Sequence, residues 1–450
     1  MATQNIKMPS TADIAAMWQA SGLKNKIIFT LLMVVAFRFG AQIPIYGINN
    51  TIFQNIAAGN NIIGFLDLFS GGALGKVSMF ALGIGPYITA QIIIQLLAVV
   101  IPSLEKLQKE EGEAGRRQIQ QITRQFAVIL SILQSIAVVT ILHKLTGTVL
   151  PTVNPMWFNI GAVITLTAGS TLVMWMAELM TERGVGNGGS LIIFVGIISG
   201  IPLYVKNTAT LVSNDPSLQL PLLILLLFFV ATIVFIIVVQ DAVRKVPIVS
   251  ARRQVGNKVY GGGTSSIPFK LNPGGVMPII FAVAILIFPS TILEFVQHMN
   301  LNQGFISNSM NFLHHLLSPA NPYYYIIYFF LIVGFTFFYA SIIPSMQPKE
   351  IANNLKKYGS AIPGIKPGAP TAAKLDEILT KTTFIGAFAL GFIALSVSLA
   401  SKITGITTFQ GIGSTSLIIM VGVALDFVNQ IRTHMLAKNY ESFLNSHKID

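Results

Sequence analysis

Cysteine is missing from all 450 residues. That removes a disulfide framework, a thiolate metal site and a cysteine nucleophile from consideration. Charge is scarce too: Asp, Glu, Lys and Arg make up 10% of the chain, against about a quarter in soluble domains. With 53% hydrophobic residues and a mean hydropathy of +0.68, the chain reads as a polytopic helical membrane protein. Acidic residues are the scarcer sign, 17 against 29 basic, leaving a net charge of +12. In a membrane protein this excess belongs first to loops that set topology. The six histidines, His143, His298, His314, His315, His434 and His447, fall in loops or at span ends with one adjacent pair, a pattern unlike a metal site. No cleavable leader is evident; the first apolar run starts near Ile27 behind a polar stretch without a small-residue cleavage site.

What is present is a series of apolar runs. Residues 10–22 form a short amphipathic stretch, capped by Ser10 or Thr11 and ended by Gly22, suited to lie on a membrane surface. Ten spans follow by length and hydropathy: 27–46, 77–101, 125–143, 157–178, 190–206, 220–240, 274–295, 323–343, 382–401 and 414–431. With the N-terminus in the cytoplasm, 24 of the 29 Lys and Arg fall in inner segments and three, Lys144, Lys206 and Lys402, in outer ones. This asymmetry requires an even number of spans with both termini inside. An N-terminal segment (1–24), a first half (25–208), a second half (209–433) and a tail (434–450) result. Five spans per half is an odd number, so a repeat of five would sit inverted in the membrane.

The span centres lack Asp, Glu, Lys, Arg and His. Ion-coupled transporters place such groups near the midplane, so an inverted-repeat secondary transporter is the weaker alternative. The same absence counts against an intramembrane hydrolase, since the sequence shows no His, Asp or Cys cluster in the spans. Arg38, Glu178 and Asp426 lie off centre and read as snorkelling or paired structural residues. Gly184-Val185-Gly186-Asn187-Gly188-Gly189 fits G-x-G-x-x-G. A dinucleotide site needs a preceding strand, however, and here a span precedes it. A tight turn between spans four and five is expected instead.

Residues 61–102 are mostly apolar but too long for one crossing, since a helix of that length would run roughly 60 Å against a core of about 30 Å. Ser70-Gly71-Gly72 breaks the run and Lys76 follows. The expectation is a half-helix over 62–70, a turn and a full span over 77–101. A half-helix at membrane depth requires a protein-lined cavity. Two long basic loops, 241–273 and 344–381, follow spans six and eight. Their length exceeds what topology needs and suggests docking of a large cytoplasmic partner with an acidic face or ribosomal RNA.

Several blocks resemble the SecY/Sec61-alpha family of protein-export channels. They are LDLFSGGAL followed by FALGIGPYITAQIIIQLL, EGEAGRRQIQQITR, MAELMTERGVGNGGSLIIF, KEIANNLKKYGSAIPGIKPG and STSLIIMVGVALDF, in family order and spacing. The resemblance implies an all-α membrane fold: ten transmembrane helices in two inverted five-helix halves, with a re-entrant plug half-helix over 62–72. It makes Phe69, Ser70 and Gly71 plug residues. It makes Ile84, Ile88, Ile193, Ile280 and Ile419 a pore ring, with Gly189 where a sixth isoleucine is expected, which leaves the ring one side chain short or filled by a neighbour such as Leu191 or Ile192. Thr89, Gln95, Asn187, Phe288 and Ile292 take lateral-gate positions, where neutral polar groups would bond between helices. Arg252, Arg253 and Lys366 take partner-docking positions, with Lys366 where the family has Arg.

The function the resemblance implies is passage of unfolded secretory chains across a membrane and sideways release of apolar segments, without enzymatic activity or cofactor. The implied partners are SecE-like and SecG-like small membrane subunits, a SecA motor ATPase, the ribosome, signal peptides, nascent chains and the lipid bilayer. The implied location is the bacterial inner membrane, with the thylakoid membrane as the alternative.

Overall fold

The structure is a computed structural model that describes residues 23–49, 53, 70–109, 112–145, 147–151, 153–250, 253–255, 258–260, 264–286, 321–342, 347–404 and 414–446. The amphipathic stretch 10–22, Phe69 and the rest of the expected half-helix before it, Arg252, Phe288 and Ile292 lie outside these residues. The helices are α1 (Leu23–Gly40), α2 (Gly85–Val100), α3 (Pro102–Lys109), α4 (Gly112–Lys144), α5 (Pro155–Arg183), α6 (Gly188–Asn214) and α7 (Gln219–Asp241). After them come α8 (Met277–Leu286), α9 (Pro322–Ile342), α10 (Pro348–Lys357), α11 (Ala369–Thr404) and α12 (Ser414–Ser446). Among the described residues, seven helices are long and apolar enough to cross a membrane, and the bent pair α2–α3 makes eight. Helices α1 and α8 occupy the places of expected spans one and seven, so the order agrees with ten.

The second span departs from expectation. Its helix starts at Gly85 rather than at residue 77, and residues 71–84 run as linked turns. The backbone explains this. Gly71, Gly72 and Gly83 take positive φ, as does Val77, and Pro86 stands in the first turn of α2, where its missing N–H costs nothing. These turns are enclosed: Ala73, Val77, Phe80, Ala81 and Ile84 are all buried. Part of their polar backbone is met locally, by Val77 N to Leu74 O at 2.8 Å and Gly83 N to Phe80 O at 2.8 Å. Helix α5 meets more of it: the Ser170 hydroxyl donates to Gly83 O at 3.3 Å, and a Cβ on Gly169 would lie 2.0 Å from Met79 O. Irregular backbone at membrane depth is tolerated under such cover. Beyond Val100, Ile101 is extended and Pro102 opens α3 at 106° to α2.

The turn between α5 and α6 is as tight as its glycines suggest. Asn187 caps α6 by accepting from Ser190 N at 3.2 Å, and a Cβ on Gly188 would sit 1.9 Å from Ala177 O. Two other helices hold the turn. Thr30 of α1 accepts from Val185 N at 3.1 Å, and Gln430 of α12 accepts from Gly186 N at 2.7 Å. Helix α6 also packs along α12, so this corner joins the early and late parts of the chain.

The two long basic loops are not separate. Strands β1 (Val243–Ser250) and β4 (Thr264–Lys270) pair antiparallel, and β5 (Ser360–Ala361) adds to the other edge of β1. Two short strands, β2 (Arg253–Val255) and β3 (Lys258–Tyr260), pair between them. Val246, Ile248, Ile267 and Phe269 occupy alternate positions on β1 and β4 and meet Leu355 of α10 and Leu375 and Leu379 of α11 in a small apolar cluster. Period-two burial on one sheet face is the pattern of a half-buried sheet. The described parts of the two loops thus form one folded unit.

Candidate functional site

All five expected ring isoleucines are buried, Ile84 to 1%, Ile88 to 8%, Ile193 to 0%, Ile280 to 3% and Ile419 to 0% exposure, and all belong to one apolar cluster. They come from four segments of the chain. Ile84 is the N-cap position of α2, and its carbonyl accepts from Ile88 N at 3.1 Å, which sets the two on one face. Ile193 sits on α6, Ile280 on α8 and Ile419 on α12. Such a cluster offers water no partner. Gly189, the sixth ring position, lies beside Ile84: a Cβ there would be 3.4 Å from Ile84 Cδ1 and 3.3 Å from Asn187 Oδ1. Leu191, expected as a substitute, instead has its Cδ1 3.1 Å from where a Cβ on Gly186 would stand.

Ile88, Ile193 and Ile280 also face a cavity of about 440 Å³. Arg116, Gln120, Glu178, Glu182 and Asn187 are among its other lining residues. A lining both apolar and polar suits a wet vestibule that ends at a dry neck. Glu178 is fixed there. Its carboxylate accepts from Arg124 Nε at 2.7 Å and from Gln120 Nε2 at 3.3 Å, joining α4 to α5. The sequence expectation of a paired structural carboxylate holds for it.

Of the residues expected at the lateral gate, Thr89, Gln95 and Asn187 lie among the described residues. Thr89 donates to Gly85 O at 3.0 Å within its own helix, Asn187 is used as a helix cap, and the Gln95 Oε1 is buried without a partner. Among the described residues, none of the three bonds across to α8. A threonine hydroxyl one turn from a backbone carbonyl finds that carbonyl first. In the strand unit Arg253 lies in β2, opposite Tyr260. Lys366 is exposed on the turn after β5, its carbonyl accepting from Thr371 at 2.8 Å.

Sequence reasoning missed what surrounds Ser70 and Gly71. Arg38 Nη1 of α1 donates to Gly71 O at 2.6 Å and to Ser199 Oγ of α6 at 2.8 Å. Ser70 Oγ, 3% exposed, accepts from Leu74 N at 2.9 Å. A carbonyl partner leaves no trace in side-chain pattern, so only the off-centre arginine itself could have pointed here.

A family model described as SecY matches residues 78–428. The chain is 44% identical over 436 residues to a protein translocase subunit SecY of Synechococcus elongatus, covering 95% of this chain and 96% of that one. It is 42% identical over 455 residues to the subunit of that name in Synechocystis, covering 99% of each. A solved structure of a protein-conducting channel superposes with a TM-score of 0.66 at 17% identity, over 92% of this chain and 93% of that one. Sec61 in a canine ribosome–channel complex does so with a TM-score of 0.63 at 16% identity, over the same shares.

Proposed function

This chain belongs to the SecY family, and from that membership we infer that it forms the central pore of a protein translocase, passing unfolded polypeptides across a membrane and releasing apolar segments into lipid. The observation that carries the reading is the neck: five isoleucines from four segments, buried together, beside a vestibule with polar lining residues. Branched aliphatic side chains seal by dewetting and yield around a chain of any sequence, since they demand no fixed hydrogen-bond pattern. The family's relatives are channel subunits, and the work of transport falls to a partner. An inverted-repeat transporter is not favoured, because the span centres carry no charged site for a coupling ion.

The finer assignments are part of the proposal. Ile84, Ile88, Ile193, Ile280 and Ile419 are the pore ring; Phe69, Ser70 and Gly71 belong to the plug; Thr89, Gln95, Asn187, Phe288 and Ile292 flank the lateral gate. Arg252, Arg253 and Lys366 on the cytoplasmic unit dock a motor ATPase or a ribosome. Small SecE-like and SecG-like subunits complete the channel in a bacterial inner or thylakoid membrane, with both termini cytoplasmic; the basic-residue asymmetry supports that orientation. Purified chain reconstituted with such small subunits and a motor ATPase should shelter a secretory substrate from added protease. Vesicles with the small subunits and motor but without this chain should not. Equal protection in both would contradict the function.

A further inference from the structure

We propose that Arg38 and Ser199 form a latch that holds the base of the plug in its sealing position through one backbone carbonyl, that of Gly71; the inference rests on the plug reading above. Three elements meet at this oxygen. Arg38 Nη1 donates to it at 2.6 Å from α1. Ser199 Oγ lies 2.6 Å from Gly196 O and 3.3 Å from Gly71 O, and it accepts from Arg38 Nη1 at 2.8 Å, which orients the guanidinium. Gly71 has φ +71°, and a Cβ on it would lie 2.8 Å from Gly196 Cα and 3.5 Å from Arg38 Nη1. The backbone of residue 71 is therefore pressed directly against the backbone of α6, an approach that the missing side chain of Gly71 permits.

The chemistry suits a latch better than a permanent staple. Arg38 is half-buried, and its partners among the described residues are neutral oxygens. A charge-assisted bond to a carbonyl is strong in a poorly hydrated site. Its partner carries no side chain that must be desolvated afresh when it leaves. Moving residue 71 breaks the contacts of Arg38 and Ser199 with this one oxygen and parts the Gly71–Gly196 surfaces. The Arg38–Ser199 contact stays behind to keep the arginine oriented for return. Loss of one hydrogen bond to a charged group corresponds to about a tenfold to hundredfold change in the closed-to-open ratio.

The chain has no cysteine, so Ser70→Cys gives a single thiol at a position 3% exposed. Two readouts are needed: the labelling rate of that thiol by a membrane-impermeant maleimide added from the outer side, and resting ion conductance in planar bilayers. Arg38→Met should raise both by about tenfold or more. Ser199→Ala should raise labelling severalfold, and Arg38→Lys, which keeps charge and one donor, should recover most of the Arg38→Met loss. Deletion of 62–70 serves as the reference for an unplugged channel. If that deletion raises conductance while Arg38→Met and Ser199→Ala stay at the wild-type level in both readouts, the plug stands and the latch is wrong. If Arg38→Met raises labelling while neither it nor the deletion changes conductance, Arg38 holds this turn but the turn seals nothing, and the plug reading is wrong together with the latch built on it. Should Arg38→Met fail to assemble, wild-type labelling in both Ser199→Ala and Arg38→Lys overturns the latch. A variant that lowers thermal stability without faster labelling marks a mere staple and overturns it too.

Discussion

Ile280 is 3% exposed in the neck cluster and also faces the vestibule cavity, so a polar atom placed there tests the seal at its edge. An amide buried among aliphatics costs about 1–3 kcal/mol. Ile280→Asn should therefore weaken the closed state and raise export of substrates with defective signal sequences by about tenfold. Unchanged export would remove Ile280 from the ring. The adjacent glycines 71 and 72 make a second contrast. Both have positive φ, but the Cβ position of Gly71 runs into Gly196 while that of Gly72 meets nothing within 4 Å. Backbone strain alone costs about 1 kcal/mol. Gly72→Ala should thus leave resting conductance near wild type and Gly71→Ala should raise it clearly; equal conductance in the two would deny the close approach at 71. The five isoleucines were singled out through the family blocks alone, since branched aliphatics are common at buried positions and carry no signal of their own. The contact at Gly71 was not, because a carbonyl acceptor has no residue type.

At the scale of elements, composition could not separate helix from buried turns in residues 71–84. Both are apolar, and only the glycine torsions and the cover from α5 decide between them. The same limit hid the sheet. The alternation in β1 is short, and its partner β5 lies more than a hundred residues further on, so pairing depends on the tertiary fold. Phe269 anchors this unit at 0% exposure. Truncating such a side chain costs about 3–5 kcal/mol. Phe269→Ala should speed limited proteolysis within residues 241–273 from the cytoplasmic side; proteolysis at the wild-type rate would mean that the strands do not depend on the cluster. Charge reversal of Arg252, Arg253 and Lys366 should weaken motor or ribosome binding most at low salt, where screening is least. Binding unaffected at low salt would refute the docking assignment.

For the whole molecule, the order of spans followed from apolar run length and the distribution of 29 basic residues, because both obey the bilayer rather than local packing. How the early and late helices close on one another did not. That is set by contacts between distant segments, such as Gln430 reaching the α5–α6 turn and α6 lying along α12. The neck is where these contacts converge, and the central claim is that a translocating chain passes through it. The absence of cysteine allows a direct test. Ile280→Cys in the neck and Leu227→Cys on the outer surface of α7, 64% exposed, would each be paired with a secretory chain stalled midway and carrying one cysteine. A disulfide should form at residue 280 during transit and not at residue 227. Crosslinking at 227 without crosslinking at 280 would contradict the channel through the neck.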